Sequence, residues 1–438
     1  MIPDVPPIGW IAGRFSYHIS ALQAALQAMG SEATYEYLMV VSGAGFRTAW
    51  PPPVAYDYSV VCVWPPGEDY VLNGARAVGA TAQRRAFTTK GEAWLAVCAS
   101  IDEGCPVIGW EACGARIICG YDEARQQAYV QSCNADQREY QIISPPTVLS
   151  APPPLPQAIE CVFLEYDANA PRPDPDWPAI LARAARFADY PSAGNLPGSY
   201  VFGLGAYDAW AASLRGGCDR AGPEGDAAIT ETVANTLADA RAAVAKALAE
   251  FGTLHDALPE AAEQYAAEAA ILKSIPQALI GPQANLAWDA RVRLMGERFA
   301  DQSQREAVAQ LVEQAKEHEV QAVGALRRAL QDLGPPREAP PPTEPVVTAP
   351  PGGEAETHYQ RGLELKRAGQ LQEAAAELRA AIADDAAHVK AHYTLGWVLL
   401  DLKDRAGAAS EFRTVVELAP DSAEAHEAQK ALDRIGQP

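Results

Sequence analysis

The chain has no uninterrupted apolar run of about eighteen residues, the length that a transmembrane helix requires. Its first ten residues, Met1 to Trp10, contain no basic residue and no apolar stretch of signal-peptide length. We therefore expect a cytoplasmic protein that does not span a membrane.

Positive charge is also scarce, with 35 Lys and Arg against 56 Asp and Glu and a formal net charge of -21. Such an acidic surface repels phosphate backbones and anionic lipids, so we expect neither nucleic acid nor a membrane as a partner. Hydrophobic residues make up 48% of the 438 residues, which is enough for ordinary globular cores. The length suggests about two or three domains.

Metal-binding cysteine patterns are missing. The pairs Cys98/Cys105 and Cys113/Cys119 have neither a CxxC spacing nor an adjacent histidine. The sequence therefore predicts no zinc site, and nothing in it indicates a cofactor. Four cysteines inside apolar runs are predicted to be buried free thiols: Cys62, Cys98, Cys119 and Cys161.

The strongest pattern that is present is a repeat of 34 residues that begins at His358. Gly362 and Gly396 would let the two helices of a hairpin touch, and Ala374 and Ala408 would fill the small slot where those helices cross. Other positions recur in the same register: His358/His392/His426, Tyr359/Tyr393, Leu365/Leu399 and Leu378/Phe412. This pattern resembles the tetratricopeptide repeat, with two complete units and a further helix over residues 422–435 that would act as a cap.

The resemblance to tetratricopeptide repeats implies a concave groove that binds a protein or peptide partner. Tyrosine, tryptophan and lysine together suit an extended peptide with apolar and acidic side chains. Trp397 has an alternative role as a residue buried in the stack. The recurring histidines fall at packing positions, so we predict no metal there. The residues predicted to line the groove are Tyr359, Leu363, Lys366, Lys390, Tyr393, Trp397 and Asp401.

Proline-rich and periodic segments predict the domain organisation. Residues 334–353 are too rich in proline for a helix or a sheet interior and are predicted to be a linker. The repeat module then occupies residues 354–438. Residues 176–333 are alanine-rich with helical periodicity and predict a helical bundle. Residues 1–175 predict an α+β domain.

Within the α+β part, we predict helices over residues 19–29, ended by Gly30, and over residues 94–101. Strands are predicted around residues 106–110, 115–122, 127–133, 138–144 and 159–166. In the helical part, five residues are predicted to divide the bundle into separate helices: Gly252, Pro259, Pro276, Gly281 and Pro282.

Three stretches of the α+β part, residues 16–30, 34–47 and 105–123, resemble one known family. It is the papain-like domain typified by the N-terminal part of the butirosin-biosynthesis aminoglycoside acyltransferase. Residues 200–214 and 258–265 resemble the helical part that accompanies this domain, so the likeness covers roughly residues 8–333. The resemblance implies a papain-like α+β fold with a helical bundle.

In papain-like enzymes a cysteine at the start of the first helix attacks the substrate and a histidine accepts its proton. Tyr17 falls at the cysteine position and Ala115 at the histidine position; only Asp122 matches a third member. The resemblance therefore implies a non-catalytic adaptor protein whose cleft holds a small molecule or a peptide end. Trp110 and Tyr121 could equally be core aromatics. The predicted cleft residues are Ser16, Tyr17, His18, Trp110, Glu111, Tyr121 and Asp122.

A second hypothesis is an acyltransferase or amide hydrolase of the same fold that uses a non-standard nucleophile, Cys113 or Ser16. It would need a base from elsewhere in the chain. His255 and His318 lie in the helical part, where we interpret them as solvated or capping residues.

Overall fold

The computed structural model describes most of the chain in two compact units, Met1–Pro345 and Val346–Pro438. In the described residues, no helix is long and apolar enough to cross a membrane. The described ranges are 1–51, 68–87, 89–111, 114–125, 127–133, 140–144, 159–190, 200–216, 223–281, 288–336, 358–359, 361–363, 365–366, 370–384, 388–418 and 428–432.

The described residues of the first unit contain a six-stranded antiparallel sheet and a two-stranded sheet. The strands are β1 Ala49–Trp50, β2 Thr81–Phe87, β3 Val107–Glu111, β4 Gly114–Asp122, β5 Gln127–Ser132, β6 Gln141–Ile143, β7 Ile159–Glu165 and β8 Val201–Phe202. The strand order of the larger sheet is β2-β7-β3-β4-β5-β6, and β1 pairs with β8 in the smaller one. All five predicted strands are present in the larger sheet.

Four α-helices accompany these strands in the described residues, and their ends follow local sequence signals. The first stops just before Gly30, which takes φ 91°, a conformation that favours glycine. Thr34 caps the second helix by accepting from the Tyr37 N–H, and Thr89 and Glu92 form a capping box on the fourth. The mixed α and β prediction is confirmed. The helices are α1 Tyr17–Ala28, α2 Tyr35–Ser42, α3 Tyr70–Ala77 and α4 Lys90–Asp102.

Six more α-helices follow in the described residues of the first unit, and the predicted interruption at Pro276 is wrong. Pro259 lies in the first turn of its helix, where a missing N–H breaks no intrahelical bond. Pro276 lies inside the same helix, which continues because its buried side chains, such as Leu272 and Leu279, hold it against its neighbours. The helices are α5 Trp177–Ala188, α6 Leu204–Gly216, α7 Pro223–Glu250, α8 Ala257–Ile280, α9 Trp288–Phe299 and α10 Gln302–Leu333.

The predicted breaks at the two glycines are confirmed. Gly252 lies in the connection between α7 and α8, and Gly281 ends α8 with φ 70°. Pro282 lies outside the described residues. Side chains of the helical part, such as Val244 and Leu326, share one buried cluster with strand residues such as Val107 and Val162. The two predicted parts therefore pack together, and a boundary near residue 175 stays a prediction.

The second unit is built from helical hairpins. Its fully described helices are α11 Leu371–Asp384, α12 Val389–Asp401 and α13 Arg405–Leu418, with helical residues also at 358–366 in part and at 428–432. Of the predicted cap over residues 422–435, only 428–432 are described; within them Ala428 and Ala431 are buried in the repeat core.

The repeated glycines lie where the hairpin helices touch, as predicted. A Cβ added at Gly362 would lie 2.8 Å from Leu378 Cγ, and one at Gly396 would lie 2.6 Å from Phe412 Cε1. Only the hydrogen atom of a glycine fits at these two positions unless the Leu378 or Phe412 side chain moves.

Candidate functional site

The start of α1 lies against the beginning of β4, the strand that contains Ala115. A Cβ added at Gly114 would lie 2.5 Å from Tyr17 Cδ2. Ala115 is fully buried and pairs with Trp110 across β3 and β4. Neither position therefore carries the thiol or the imidazole of a papain-like enzyme.

The entry to α1 is held by a carboxylate from the helical part. Asp239 Oδ2, on α7, accepts a hydrogen bond from the Phe15 N–H at 2.8 Å and another from Tyr35 Oη at 2.6 Å. Tyr35 Oη in turn accepts from the Ser16 N–H at 3.2 Å. Burial raises the pKa of Asp239, and burial and the neighbouring Asp239 raise the pKa of Tyr35 well above its ordinary value.

This arrangement bears on Ser16 as an alternative nucleophile. The Tyr35 hydroxyl, which accepts a hydrogen bond from the Ser16 N–H, donates its own hydrogen to Asp239. Tyr35 therefore does not serve as a base for the Ser16 hydroxyl. Sequence reasoning missed Asp239 because it lies in an alanine-rich helix that carries no motif. Cys113, the other alternative nucleophile, lies outside the described residues.

His18 is a buried, neutral imidazole. It is 6% exposed, and its ring centroid lies 4.7 Å from that of Trp110. Burial, followed by the charges of Arg84 and Arg47, lowers the pKa of His18 to about 3. A histidine that holds a proton this weakly is a poor general base at neutral pH.

Trp110 is half-buried and stacks on a charged group that the sequence did not indicate. Arg84 Cζ lies 4.6 Å from the Trp110 ring centroid, within the range of a cation–π contact. Arg84 also binds Asp69 Oδ2 through Nη2 at 2.6 Å and lies 3.5 Å from Glu160. The interpretation of Trp110 as a core aromatic gains weight, because the ring packs against the main core. Glu111 ends β3, and its side chain is not among those described.

Tyr121 and Asp122 lie at the opposite end of β4 from Tyr17. Asp122 comes seven positions after Ala115 along the strand, roughly 20 Å at the usual rise per residue. The strand thus separates Asp122 from position 115, and the match of Asp122 to a third member stays a prediction. Asp122 Oδ1 instead accepts from the Arg125 N–H at 3.0 Å in the turn after the strand.

Tyr121 belongs to the same distant region. Its hydroxyl donates to Asp102 Oδ1 at 2.8 Å, and this bond, followed by burial, raises the pKa of Tyr121 to about 12. Its ring meets Trp94 edge to face at 6.1 Å. The structure thus brings Ser16, Tyr17, His18 and Trp110 together and leaves Tyr121 and Asp122 apart from them.

Three cysteine predictions can be compared with the structure. Cys119 and Cys161 are buried free thiols, and burial raises the pKa of each to about 12. Cys98 is half-buried rather than buried, because it lies on the outer helix α4. Cys62 lies outside the described residues.

In the repeat unit, the aromatic residues predicted to line the groove also contact the core. The Tyr393 and Trp397 ring centroids are 6.1 Å apart, and Trp397 lies 5.2 Å from Phe412. The Tyr359 ring lies 4.9 Å from that of His388. Trp397 thus packs in the stack with part of its surface exposed, and its place in a partner groove stays a prediction. Of the remaining predicted residues, Asp401 is exposed and three are half-buried: Leu363, Lys366 and Lys390.

Two of the recurring histidines, His358 and His392, bind acidic partners on the second helix of their hairpins, and His426 lies outside the described residues. Nδ1 of His358 lies 2.6 Å from Glu377 Oε2, and Nδ1 of His392 lies 2.6 Å from Glu411 Oε2. The prediction that these histidines contact the partner helix is confirmed. The two glutamates also recur after 34 residues, a signal that was available in the sequence. In the part of the chain that the structure describes, no cluster of His, Cys, Asp and Glu could hold a metal ion.

Residues 365–432 match the tetratricopeptide repeat family, which confirms the predicted repeat over that range. Proteins use such repeats to bind other proteins on an extended surface. The match does not extend into the first unit. A comparison of the whole chain with curated proteins found no match.

Proposed function

We propose that this protein is a non-catalytic adaptor. Its repeat module, residues 354–438, recruits a protein partner, and its first unit is a degenerate papain-like domain that holds a small molecule or a peptide end. One observation carries the proposal: the position that a reactive thiol would occupy is filled by Tyr17, against a strand without a histidine.

The electrostatics at the start of α1 support a non-catalytic role. A helix N-terminus carries a partial positive charge, which in papain-like enzymes lowers the pKa of the catalytic thiol. Here Asp239 already binds the Phe15 N–H and, through Tyr35, the Ser16 N–H. The backbone donors leading into the helix are therefore used to anchor α7 and not to stabilise a reacting group.

The surface proposed to hold a ligand is formed by Ser16, Tyr17 and Trp110, the partly exposed residues near the start of α1. Tyrosine and tryptophan offer flat apolar faces with a polar edge, which suits a small organic molecule or a peptide terminus.

Chemical labelling tests the non-catalytic assignment. The full-length protein is treated with an iodoacetamide probe and with a fluorophosphonate probe, and labelled sites are mapped by mass spectrometry. We expect no fast, site-selective labelling. Rapid labelling at Ser16 or Cys113 that disappears in Ser16→Ala or Cys113→Ala would contradict the proposal and establish an enzyme with a non-standard nucleophile.

Partner capture tests the repeat groove. We expect Lys390→Glu and Asp401→Lys to change the set of proteins retained from a cell lysate, because both side chains lie at predicted groove positions and neither is fully buried. Leu418→Ala is the matched control, since this residue is 41% exposed and lies at the end of α13. An unchanged partner set in both groove variants would remove the groove from the proposed function.

A further inference from the structure

The interior of the first unit contains an arginine and two glutamates that the sequence analysis did not predict. Arg241 on α7 and Glu268 on α8 are fully buried, and Glu319 on α10 is 3% exposed. Arg241 Nε lies 2.8 Å from Glu319 Oε2 and 3.3 Å from Glu268 Oε1. Three helices thus bring one guanidinium and two carboxyl groups together away from water.

The remaining donors of Arg241 bind the segment that follows α2. Its Nη1 donates to the carbonyl oxygens of Gly45 at 2.6 Å and Arg47 at 3.4 Å, and its Nη2 donates to Thr48 Oγ1 at 2.5 Å. The side chain therefore fastens residues 45–48 to the helical part.

Two tyrosines complete the surroundings of Glu268. Tyr207, from α6, donates its hydroxyl hydrogen to Glu268 Oε1, and the Tyr265 ring, from α8 itself, lies 5.5 Å from Arg241 Cζ. In the residues that the structure describes, Arg241 is the one cation bound to either carboxyl group in this cluster. A single guanidinium cannot neutralise two ionised carboxylates in a dry interior.

A proton on one carboxyl group resolves this imbalance. Glu268 Oε2 is buried and has no hydrogen-bond partner, and both carboxyl groups contact the same Arg241 Nε. If Glu268 is protonated, it can donate to Glu319, and the cluster then has no net charge. In agreement, burial and then the charge of Glu319 raise the pKa of Glu268 well above its ordinary value.

We propose that Glu268 is protonated and donates to Glu319, and that the two glutamates and Arg241 form a proton-dependent latch between the helical part and residues 45–48. Loss of the proton places a second negative charge in the interior and weakens the latch. This inference does not depend on the proposed adaptor function.

The direction of the pH effect follows from the raised pKa. The folded protein holds a proton that the unfolded chain releases above its ordinary glutamate pKa. The stabilisation is therefore complete below that pKa and is lost as the pH rises toward the folded-state value. One such proton changes the unfolding equilibrium constant tenfold per pH unit.

Denaturant unfolding of the full-length protein between pH 5.5 and pH 7.5 tests the latch. Glu268→Gln keeps the neutral form, because its amide can donate to Glu319 and accept from Tyr207. We expect the unfolding constant of the wild type to rise tenfold per pH unit relative to this variant. Glu260→Gln, an exposed position on the same helix, should keep the wild-type slope. Parallel slopes for the wild type and Glu268→Gln would overturn the proposal.

Hydrogen exchange gives a second measurement that does not require a variant to fold. In the wild type, exchange of amides in residues 45–48, corrected for the intrinsic rate, should accelerate as the pH rises from 5.5 to 7.5. Constant protection of this segment over that range would also overturn the proposed latch.

Discussion

Replacing Gly396 by alanine should destabilise the repeat module, although the same change usually strengthens a helix. In a helix interior, glycine to alanine contributes about 1 kcal/mol through propensity. At position 396 the new Cβ would lie 2.6, 2.8 and 2.9 Å from three ring atoms of Phe412. Real Cβ atoms do not approach so closely, so either the ring or the helix must move.

Phe412 has little room to move. Its side chain is fully buried, and its ring centroid lies 5.2 Å from that of Trp397 and 6.3 Å from that of Tyr393. Overpacking of a filled core costs typically 1–3 kcal/mol. The cost exceeds the propensity gain, and we expect a net loss of about 1 kcal/mol in the stability of α12 and α13.

Gly324 is the matched control, because it also lies inside a long helix but has space around it. The nearest atom to its added Cβ is Arg328 Nη1 at 3.9 Å, an ordinary contact with a flexible side chain. Gly324→Ala should therefore stabilise α10 by about 0.5–1 kcal/mol.

Hydrogen exchange with mass spectrometry measures each helix locally in the full-length protein. Peptides from Val389–Asp401 should exchange faster in Gly396→Ala, and peptides from Gln302–Leu333 should exchange more slowly in Gly324→Ala. Increased protection of Val389–Asp401 in Gly396→Ala would refute the argument, since it would show that Phe412 yields at little cost.

Two further predictions concern histidines. Burial keeps His18 neutral, so the folded protein should lose stability as the pH falls below about 6.5, by up to about 1.4 kcal/mol per pH unit. In denaturant unfolding, the stability of His18→Asn should fall less steeply with decreasing pH. Equal pH dependence in the two proteins would contradict a neutral, buried His18. A double-mutant cycle on His392 and Glu411 should give a coupling energy of about 1 kcal/mol. The cycle on His358 and Glu377 should give a smaller coupling energy, because the His392 side chain is 9% exposed and that of His358 is 39% exposed. Equal coupling energies would show that burial does not set the strength of these two pairs.

Several features of this chain could be predicted because they depend on neighbours in the sequence. The 34-residue period places Gly396 against Phe412 in the same way as Gly362 against Leu378. The end of α1 near Gly30 follows from the same kind of local signal.

Long-range features were missed for a common physical reason. Pro276 was predicted to end a helix, but burial of the surrounding apolar side chains outweighs the local preference of proline. Asp239 is 204 residues from Tyr35, and Arg241 is 193 residues from Thr48. No spacing rule connects residues so far apart.

The sequence by itself therefore determined the repeat, the mixed α and β architecture and the absence of cysteine and histidine from positions 17 and 115. Those properties depend on residue type, periodicity and backbone preference, which act over a few turns of chain. Only the tertiary structure decided that Asp239 holds the start of α1, that Asp122 lies far from Ala115, and that Glu268 meets Glu319 beside Arg241. Such contacts form only when the helices and strands pack together. Packing also buries ionisable side chains, and burial changes the charge that these side chains can carry.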